Sequence, residues 1–206
     1  LLKSPEVILF YKKFLNPICS DKTVLDIGCG DGSLCKSISH CNWINVDPYT
    51  DNLEFVIKKD AIEYIQNLKT KPFDIVLCCF AIHHFITPNF RELVVPILKP
   101  EGQFITFSIS NKSLFFGDDS FNNLFFSKGF SKEDVISYDD SSNMSIDISI
   151  TYNNFYNFIK FKSWSNLVQL QTNQINYLLE RIPLNLTTIS LTITISKIIL
   201  SSNTIK

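Results

Sequence analysis

The residues best suited to chemistry lie in one short stretch, residues 23–33, which reads TVLDIGCGDGS. Asp26 ends an apolar run, and Gly28, Gly30 and Gly32 follow it at alternate positions. A glycine-rich turn between a strand and a helix lets a ligand approach bare backbone, because side chains there would block it. The stretch therefore predicts a site for a small polar ligand at the start of a helix.

A second acid, Asp47, follows about 20 residues later, at the end of a predicted second strand. An acid in this position is suited to hydrogen-bond the hydroxyl groups of a bound ribose. Enzymes that bind nicotinamide dinucleotides and enzymes that bind S-adenosylmethionine (SAM) both use this arrangement, so Asp47 alone does not distinguish between the two cofactors.

The glycine spacing and Asp26 do distinguish between them. The dinucleotide fingerprint is GxGxxG, in which the third glycine lets the helix pack closely against the strand. Here the spacing is GxGxG, and position 33 is Ser. A carboxylate at Asp26 is awkward beside a pyrophosphate, whereas it suits the ammonium group at the amino-acid end of SAM. The residues therefore favour SAM over a nicotinamide dinucleotide.

Short apolar runs alternate with helical patterns as far as residue 110. The predicted strands are 23–27, 43–46, 55–58, 73–80 and 103–109. The predicted helices are 4–16, 33–39, 61–68 and 88–98. Such alternation indicates an α/β fold with a Rossmann-like, doubly wound sheet.

Prolines and one glycine set some of these boundaries. Pro17 is expected to stop the first helix, and Pro96 is expected to kink the end of the helix at 88–98. The segment LKPEG, at 98–102, is predicted to be a turn before the fifth strand.

The pattern changes beyond residue 110. Helices are predicted at 119–127, 152–161 and 172–181, and strands at 145–151 and 186–198. The sheet is then predicted to have seven strands, mostly parallel, with an antiparallel C-terminal strand. We expect one domain over 1–206, with a cofactor-binding core at about 17–110 and a substrate-side elaboration at about 111–200. Because the chain starts at Leu1, we also expect that some N-terminal residues are missing.

The composition narrows the range of partners. The net charge of -1 gives no global basic field that would attract nucleic acid. No apolar run reaches the roughly 20 residues that span a bilayer. The six cysteines include no CxxC pair and no spacing with histidine that suits zinc. We therefore expect reduced thiols, no metal, no membrane and a cytoplasmic location.

Five segments together resemble a known family. They are VLDIGCGDGSL, NVDP at 45–48, KKDAIEYI at 58–65, FDIVLCCFAIHHF at 73–85 and LKPEGQFITF at 98–107. In order and spacing they resemble the class I SAM-dependent methyltransferases over about residues 23–110. The resemblance implies that SAM is the cofactor and that the chain is an enzyme that transfers a methyl group.

The resemblance also implies roles for matching residues at the amino-acid end of SAM. Asp26, Gly28, Cys29 and Gly30 would frame the methionine part of the cofactor. Cys79, just at the end of the fourth strand, would line the methionine side and face the transferred methyl group.

Other matching residues are implied at the nucleoside end. Asp47 would bind the ribose hydroxyls, with Pro48 beside the adenine. Asp60 would meet the adenine amino group, and Ala61 would give its backbone amide to the ring. Asp60 immediately precedes the helix at 61–68 and also suits an N-cap, and both roles are compatible.

The C-terminal third looks like small-molecule methyltransferases of the methyltransferase-11/25 type. In those proteins an arginine-x-tryptophan/tyrosine-serine-x-leucine segment lines the acceptor pocket, and residues 162–167 here read KSWSNL. The resemblance implies that Trp164 contacts the acceptor, although Lys162 replaces the usual arginine. Phe80 and other aromatic residues on this side favour an apolar or planar small molecule as the acceptor.

Two adjacent histidines, His83 and His84, follow the fourth strand. Methyl transfer from a sulfonium is an in-line displacement, so a base is needed only if the nucleophile must lose a proton. Either histidine could be that base or could orient the acceptor. The alternative interpretation is that they only pack or lie in a loop.

Three other functions compete with that of a small-molecule methyltransferase. The first is a tRNA methyltransferase, because relatives acting on the wobble-uridine side chain carry a double histidine after the fourth strand. The neutral net charge and the single Arg91 in the following helix argue against it. The second is a non-catalytic SAM-binding subunit that needs a partner. The third, a nicotinamide-dependent reductase, does not fit the glycine spacing.

Overall fold

The computed structural model describes residues 4–50, 53–70, 72–84, 90–110, 115–126, 142–161 and 169–200. The described helices are α1 (Pro5–Cys19), α2 (Ser33–Ser37), α3 (Ala61–Gln66), α4 (Phe90–Val94), α5 (Asp119–Phe125), α6 (Tyr152–Lys160) and α7 (Thr172–Glu180). The described strands are β1 (Thr23–Ile27), β2 (Asn42–Val46), β3 (Val56–Ile57), β4 (Phe73–Cys79), β5 (Leu98–Ile109), β6 (Ser142–Thr151) and β7 (Thr188–Ile199).

These strands form a seven-stranded sheet in the order β3-β2-β1-β4-β5-β7-β6. The five strands from β3 to β5 are parallel to one another, whereas β7 is antiparallel to its neighbours. Strand β4 is almost continuously apolar and buried because β1 and β5 pair with it on both sides. The predicted fold class, a Rossmann-like and mostly parallel sheet with an antiparallel C-terminal strand, is confirmed.

The predicted end of the first helix is wrong. Helix α1 continues past Pro17 to Cys19. Proline is unfavourable inside a helix because it lacks an amide hydrogen and crowds the preceding turn. Pro17 lies in the last turn, however, where it removes only one intrahelical hydrogen bond. The helical bonding resumes when the Ser20 amide donates to the Asn16 carbonyl at 3.3 Å.

The segment predicted to be a turn before the fifth strand is instead an irregular start of β5. Phe73 pairs with Leu98, but Ile75 pairs with Gln103, so several extra residues bulge out of β5. Glu101 in this bulge has a φ of 62°, a left-handed value that bulges and turns share. The sequence signal marked a real break in regular pairing, and the strand begins before it.

The helix expected to extend to residue 98, with a kink at Pro96, ends earlier than predicted. Helix α4 ends at Val94, and a short 3₁₀ turn over Val95–Ile97 leads into β5. The earlier part of this predicted helix, before Phe90, lies outside the described residues.

The described residues divide into two compact units. The sheet unit comprises the described parts of Phe10–Ser108, Ile136–Met144 and Thr194–Lys206. The helical unit comprises the described parts of Leu1–Leu9, Ile109–Val135 and Ser145–Ile193. The single domain expected over 1–206 stays a prediction.

The helical unit has a core made largely of phenylalanine. Phe115, Phe121, Phe125 and Phe155 are all buried, and their ring centroids lie 5.1–6.1 Å apart in the pairs that contact each other. Asn122 stabilises the loop before α5, because its side chain accepts from the Phe115 amide and donates to the Phe115 carbonyl. These aromatic residues are therefore core residues of this unit.

In the sheet unit, α1 packs on β5 through one aromatic ring. Phe107 is fully buried, and its centroid lies 5.6–5.9 Å from those of Phe10, Tyr11 and Phe14. The interplanar angles of 85–86° are those of edge-to-face contacts, which stabilise aromatic pairs beyond the area they bury. This contact holds α1 against the sheet.

The substitution Phe107→Ala should lower the free energy of unfolding by about 3–5 kcal/mol, because it removes a buried ring and leaves a cavity under α1. Denaturant titration measures this. Phe161→Ala is the matched control, since that side chain is 67% exposed and its loss should change stability by less than about 0.5 kcal/mol. Equal effects of the two substitutions would contradict the packing described here.

Candidate active site

The glycine turn after β1 has the backbone conformation that its sequence predicts. Gly28, Gly30 and Gly32 have φ values of 69°, 56° and 69°, which side-chain-bearing residues rarely adopt. The Gly28 amide donates to the Val46 carbonyl at 2.8 Å, which ties the turn to the end of β2. The end of β2 therefore fixes the turn, which leads directly into α2.

The glycines differ in what surrounds them. A Cβ atom added at Gly30 would meet no atom within 4 Å, whereas one added at Gly32 would lie 2.4 Å from the Phe55 ring. Gly30 thus presents bare backbone to open space, as a ligand site requires. Gly32 is required because a side chain there would overlap the Phe55 ring. The Lys36 ammonium group also lies over this ring, 4.6 Å from its centroid.

Asp47 organises this turn as well as facing it. Its carboxylate accepts from the Gly30 amide at 2.9 Å and from the Tyr49 amide at 2.8 Å. The Thr50 hydroxyl donates to the Gly30 carbonyl at 2.9 Å. The bond from Gly30 was not predicted from the sequence. The bond from Tyr49 is an Asx turn, which the Asp-Pro-Tyr sequence at 47–49 could have indicated.

Asp26 is buried at the end of β1. It pairs in register with Asn45 of β2 and Leu77 of β4, and it is 1% exposed. Its Oδ1 atom has no hydrogen-bond partner in the described part of the chain. Burial, and then the nearby Asp47 carboxylate, raise the pKa of Asp26 to about 8. Such a carboxyl group lacks the positive partner that a buried acid usually has.

The end of β4 brings aromatic and thiol groups to the same edge of the sheet. Phe80 directly follows the strand with a φ of 56°, an unusual conformation for a bulky residue, and its amide donates to the Phe107 carbonyl at 2.8 Å. Tyr11 lies edge-to-face with Phe80 at 6.3 Å. Burial, then Cys79 and Asp26, raise the pKa of Tyr11 well above its usual value, so its phenol stays protonated.

Cys79 has a similar environment. Burial, followed by the charge of Asp26, raises the pKa of the Cys79 thiol well above its usual value. The thiol is therefore protonated at neutral pH, and it can line a pocket but cannot act as a thiolate nucleophile. Cys29, in the glycine turn, is likewise shifted to a higher pKa by burial and by Asp26.

Asp60 caps α3. Its Oδ1 atom accepts from the Ile62 amide at 2.9 Å and from the Glu63 amide at 3.1 Å, so the N-cap role expected for Asp60 is present. Ala61, the first residue of α3, is buried. Pro48 is partly exposed beside Asp47. The backbone amides of α3 thus fix Asp60 at the start of the helix.

The histidine pair lies in a short 3₁₀ turn after β4. The turn spans Ile82–His84, and the His84 amide donates to the Ala81 carbonyl at 2.9 Å. The His84 side chain is exposed, while only the backbone of His83 is described. Trp164, the predicted acceptor contact, lies outside the described residues. In the part of the chain that is described, no group of three or more His, Cys, Asp or Glu side chains could hold a metal ion.

The structure brings together the residues at the carboxyl ends of three adjacent strands, β1, β2 and β4. In an open α/β sheet this edge is where ligands bind. A doubly wound sheet with a glycine turn, a buried acid and a second acid at this edge defines a protein that binds a nucleoside-containing cofactor. Tyr11 of α1 reaches the same edge through its contact with Phe80.

Comparison with known proteins finds a family model that matches part of the chain. Residues 25–106 match the model of a methyltransferase domain family. No curated protein matches the chain in sequence. The residues matched include the glycine turn, Asp47, Asp60 and the end of β4.

Solved structures of methyltransferases share the fold. A SAM-dependent methyltransferase from Archaeoglobus fulgidus is 21% identical, with a TM-score of 0.52 over 93% of this chain and 92% of that one. Phosphoethanolamine N-methyltransferase 2 from Haemonchus contortus is 15% identical, with a TM-score of 0.50 over 94% and 52%. Coclaurine N-methyltransferase is 16% identical, with a TM-score of 0.50 over 93% and 69%. At these identities the likeness shows a common fold.

The family-model match and the geometry of the site together support a class I SAM-dependent methyltransferase, with SAM as its cofactor. The residues present fit this cofactor. Asp26 offers a buried carboxyl oxygen that has no partner among the described residues and that can accept from an ammonium group, and Gly30 of the glycine turn offers bare backbone. Among the described helices, none is both long and apolar enough to cross a membrane.

The substitutions Gly30→Ala and Gly32→Ala should have different effects. Both force alanine into a left-handed conformation, which costs about 1–2 kcal/mol of stability. In Gly30→Ala the new methyl group meets no protein atom, so stability should fall by that amount only, while binding of S-adenosylhomocysteine (SAH) should weaken at least about tenfold. Thermal unfolding and calorimetry with SAH measure the two effects.

Gly32→Ala should lose more stability, since its methyl group overlaps the Phe55 ring. The double variant Gly32→Ala/Phe55→Ala removes that overlap and serves as the control. Adding Gly32→Ala to Phe55→Ala should therefore cost less stability than adding it to the unaltered protein. If Gly30→Ala bound SAH as tightly as the unaltered protein, Gly30 would not face the cofactor.

Proposed function

We propose that this methyltransferase transfers the methyl group of SAM to a small-molecule acceptor by in-line displacement. The observation that carries the proposal is the aromatic end of β4, where Phe80 is held in an unusual conformation beside Tyr11. An apolar, largely buried wall of this kind suits a small apolar or planar molecule. The net charge of -1 offers no general attraction for a polyanion.

The cofactor is proposed to lie along the carboxyl ends of β1, β2 and β4. Asp26 would bind its ammonium group, while Gly28, Cys29 and Gly30 would give it bare backbone. The SAM sulfonium carries a positive charge that makes its methyl group electrophilic. The protein then has only to position the acceptor in line with the methyl group and to exclude water.

The nucleoside end is proposed to lie beyond β2. Asp47 already accepts two backbone amides, yet each carboxylate oxygen has a second lone pair for a ribose hydroxyl. Pro48 would lie beside the adenine, Asp60 would meet its amino group, and the Ala61 amide would reach the ring. Because Asp47 also holds Gly30, ribose binding and the shape of the glycine turn are coupled through one carboxylate.

The acceptor side is proposed to start at Cys79 and Phe80. A protonated, buried Cys79 thiol adds an uncharged surface beside the methyl group, and Phe80 adds an aromatic one. Trp164 is proposed as a further acceptor contact. Phosphoethanolamine and coclaurine N-methyltransferases, two of the proteins that share the fold, have structures with small ligands and SAH, which supports a small acceptor here.

A radiolabel experiment tests the acceptor class. SAM with a labelled methyl group is incubated with the protein and an extract from which endogenous small methyltransferases have been removed. We expect the label to appear in a product that passes a low-cut-off filter and resists ribonuclease and protease. Label retained with RNA and released only by ribonuclease would instead support the tRNA alternative. Label transferred only after a second protein is added would support the non-catalytic-subunit alternative.

The histidine pair has a separate test in the same assay. If a histidine removes a proton from the acceptor, His83→Ala or His84→Ala should lower turnover about 10²–10⁴-fold at saturating acceptor, without weakening SAH binding. The two single variants are compared with the unaltered protein across pH. Full turnover in both would show that neither histidine is the base.

A further inference from the structure

The carboxyl group of Asp26 lies among other acidic groups. It is 1% exposed, and its Oδ1 atom has no partner among the described residues. Titratable groups on α1, the glycine turn, α2, β4 and the residue after β2 interact electrostatically with this carboxyl group. They are Tyr11, Cys19, Cys29, Cys35, Asp47, Cys78 and Cys79.

These groups are neutral when protonated and negative when ionised, so none of them can supply a positive partner for a negative Asp26. The neighbouring elements carry Lys12 and Lys13, both exposed on α1, and Lys36 of α2, which is engaged elsewhere. Its ammonium group donates to the Asp31 carbonyl at 3.3 Å and lies over the Phe55 ring. Within the described chain, the surroundings of Asp26 therefore favour its uncharged form.

We propose that Asp26 carries a proton in the free protein and releases it when the ammonium group of SAM or SAH binds. This inference rests on the proposed position of the cofactor's amino-acid end. The neutral carboxyl group and the ligand ammonium form a carboxylate–ammonium pair, and the carboxyl proton passes to solvent. The overall charge is balanced, because one positive charge enters the site with the ligand and one leaves as the proton.

The size of the effect follows from burial and charge. Burial and the Asp47 carboxylate place the pKa of Asp26 at about 8 in the free protein. A bound ammonium group within hydrogen-bond distance lowers the pKa of a carboxyl group, because it stabilises the charged form. By linkage, a ligand that removes a proton binds more tightly as pH rises. Between about pH 5.5 and pH 7, the affinity for SAH should rise about tenfold per pH unit.

The free protein should respond to pH in the opposite direction. The pKa of Asp26 is raised from 3.8 to about 8, so between these values the native state binds a proton that the unfolded state has lost. The contribution of Asp26 to stability is therefore full below about pH 4 and is lost as pH rises towards 8. Bound SAH should reverse this trend, since it pairs with the carboxylate.

Calorimetry of SAH binding at about pH 6.5, in two buffers with different ionisation enthalpies, counts the protons released. We expect about one proton per SAH. The probe 5′-methylthioadenosine shares the adenosine and the thioether but lacks the amino-acid end, so it should release none. Asp26→Asn should bind SAH more weakly, without proton release and without the dependence on pH.

Asp74→Asn is the matched control. Asp74 lies at the start of β4, where Lys99 contacts its carboxylate at 2.8 Å, and its pKa is lowered by that pair. This variant should release the same proton as the unaltered protein. Infrared difference spectra of the free unaltered protein supply a second measurement, in case Asp26→Asn does not fold. A protonated-carboxyl band should be present at about pH 6.5 and absent well above pH 8.

The possible failures can be distinguished. If SAH binds with no proton release and the free protein shows no protonated-carboxyl band, this inference is wrong while the cofactor assignment stands. If SAH does not bind at all under any of these conditions, the proposed cofactor position is wrong and this inference falls with it. If Asp26→Asn still releases the proton, another group is its source and the assignment to Asp26 is wrong.

Discussion

Strand β1 is paired on both sides, and most of the site depends on this constraint. Parallel pairing with β2 and β4 brings the carboxyl ends of these three strands to one edge of the sheet. Asp26, near the end of β1, is thereby covered from both sides. The chain then leaves β1 through a tight turn. Left-handed glycines supply that turn, and the end of β2 fixes it through hydrogen bonds to Val46 and Asp47. The cofactor site is thus a consequence of how the sheet is paired.

Burying Asp26 destabilises the free protein, because a carboxyl group without a positive partner loses its hydration. Stability and function are in conflict at this residue. An apolar residue at position 26 would suit the core better, since Val24, Leu25 and Ile27 of β1 are buried and apolar. A positively charged ligand as the missing partner would explain the acid at this position. The residue that destabilises the free protein would then contribute to the affinity and the selectivity of ligand binding.

The order of strands and helices, and the identity of the cofactor, could be predicted from the sequence because they depend on local signals. Apolar runs such as the one in β4, and the GxGxG turn, are specified by neighbouring residues. The predictions were less successful where distant residues decide the structure. Helix α1 continues past Pro17, and the Gly30 amide bonds to Asp47 from another strand. Tyr11 joins the site through contact with Phe80, which no local pattern encodes.

Cofactor and acceptor are recognised by different kinds of chemistry, and this explains why the sequence reveals one more readily than the other. The proposed cofactor end of the site is built from backbone and carboxylates, and these require particular residues at particular spacings. The proposed acceptor side, from Cys79 and Phe80 onwards, is apolar and uncharged. Many combinations of aromatic and aliphatic residues can form such a surface, so its sequence is only weakly constrained. The acceptor is therefore best sought by following the transferred methyl group.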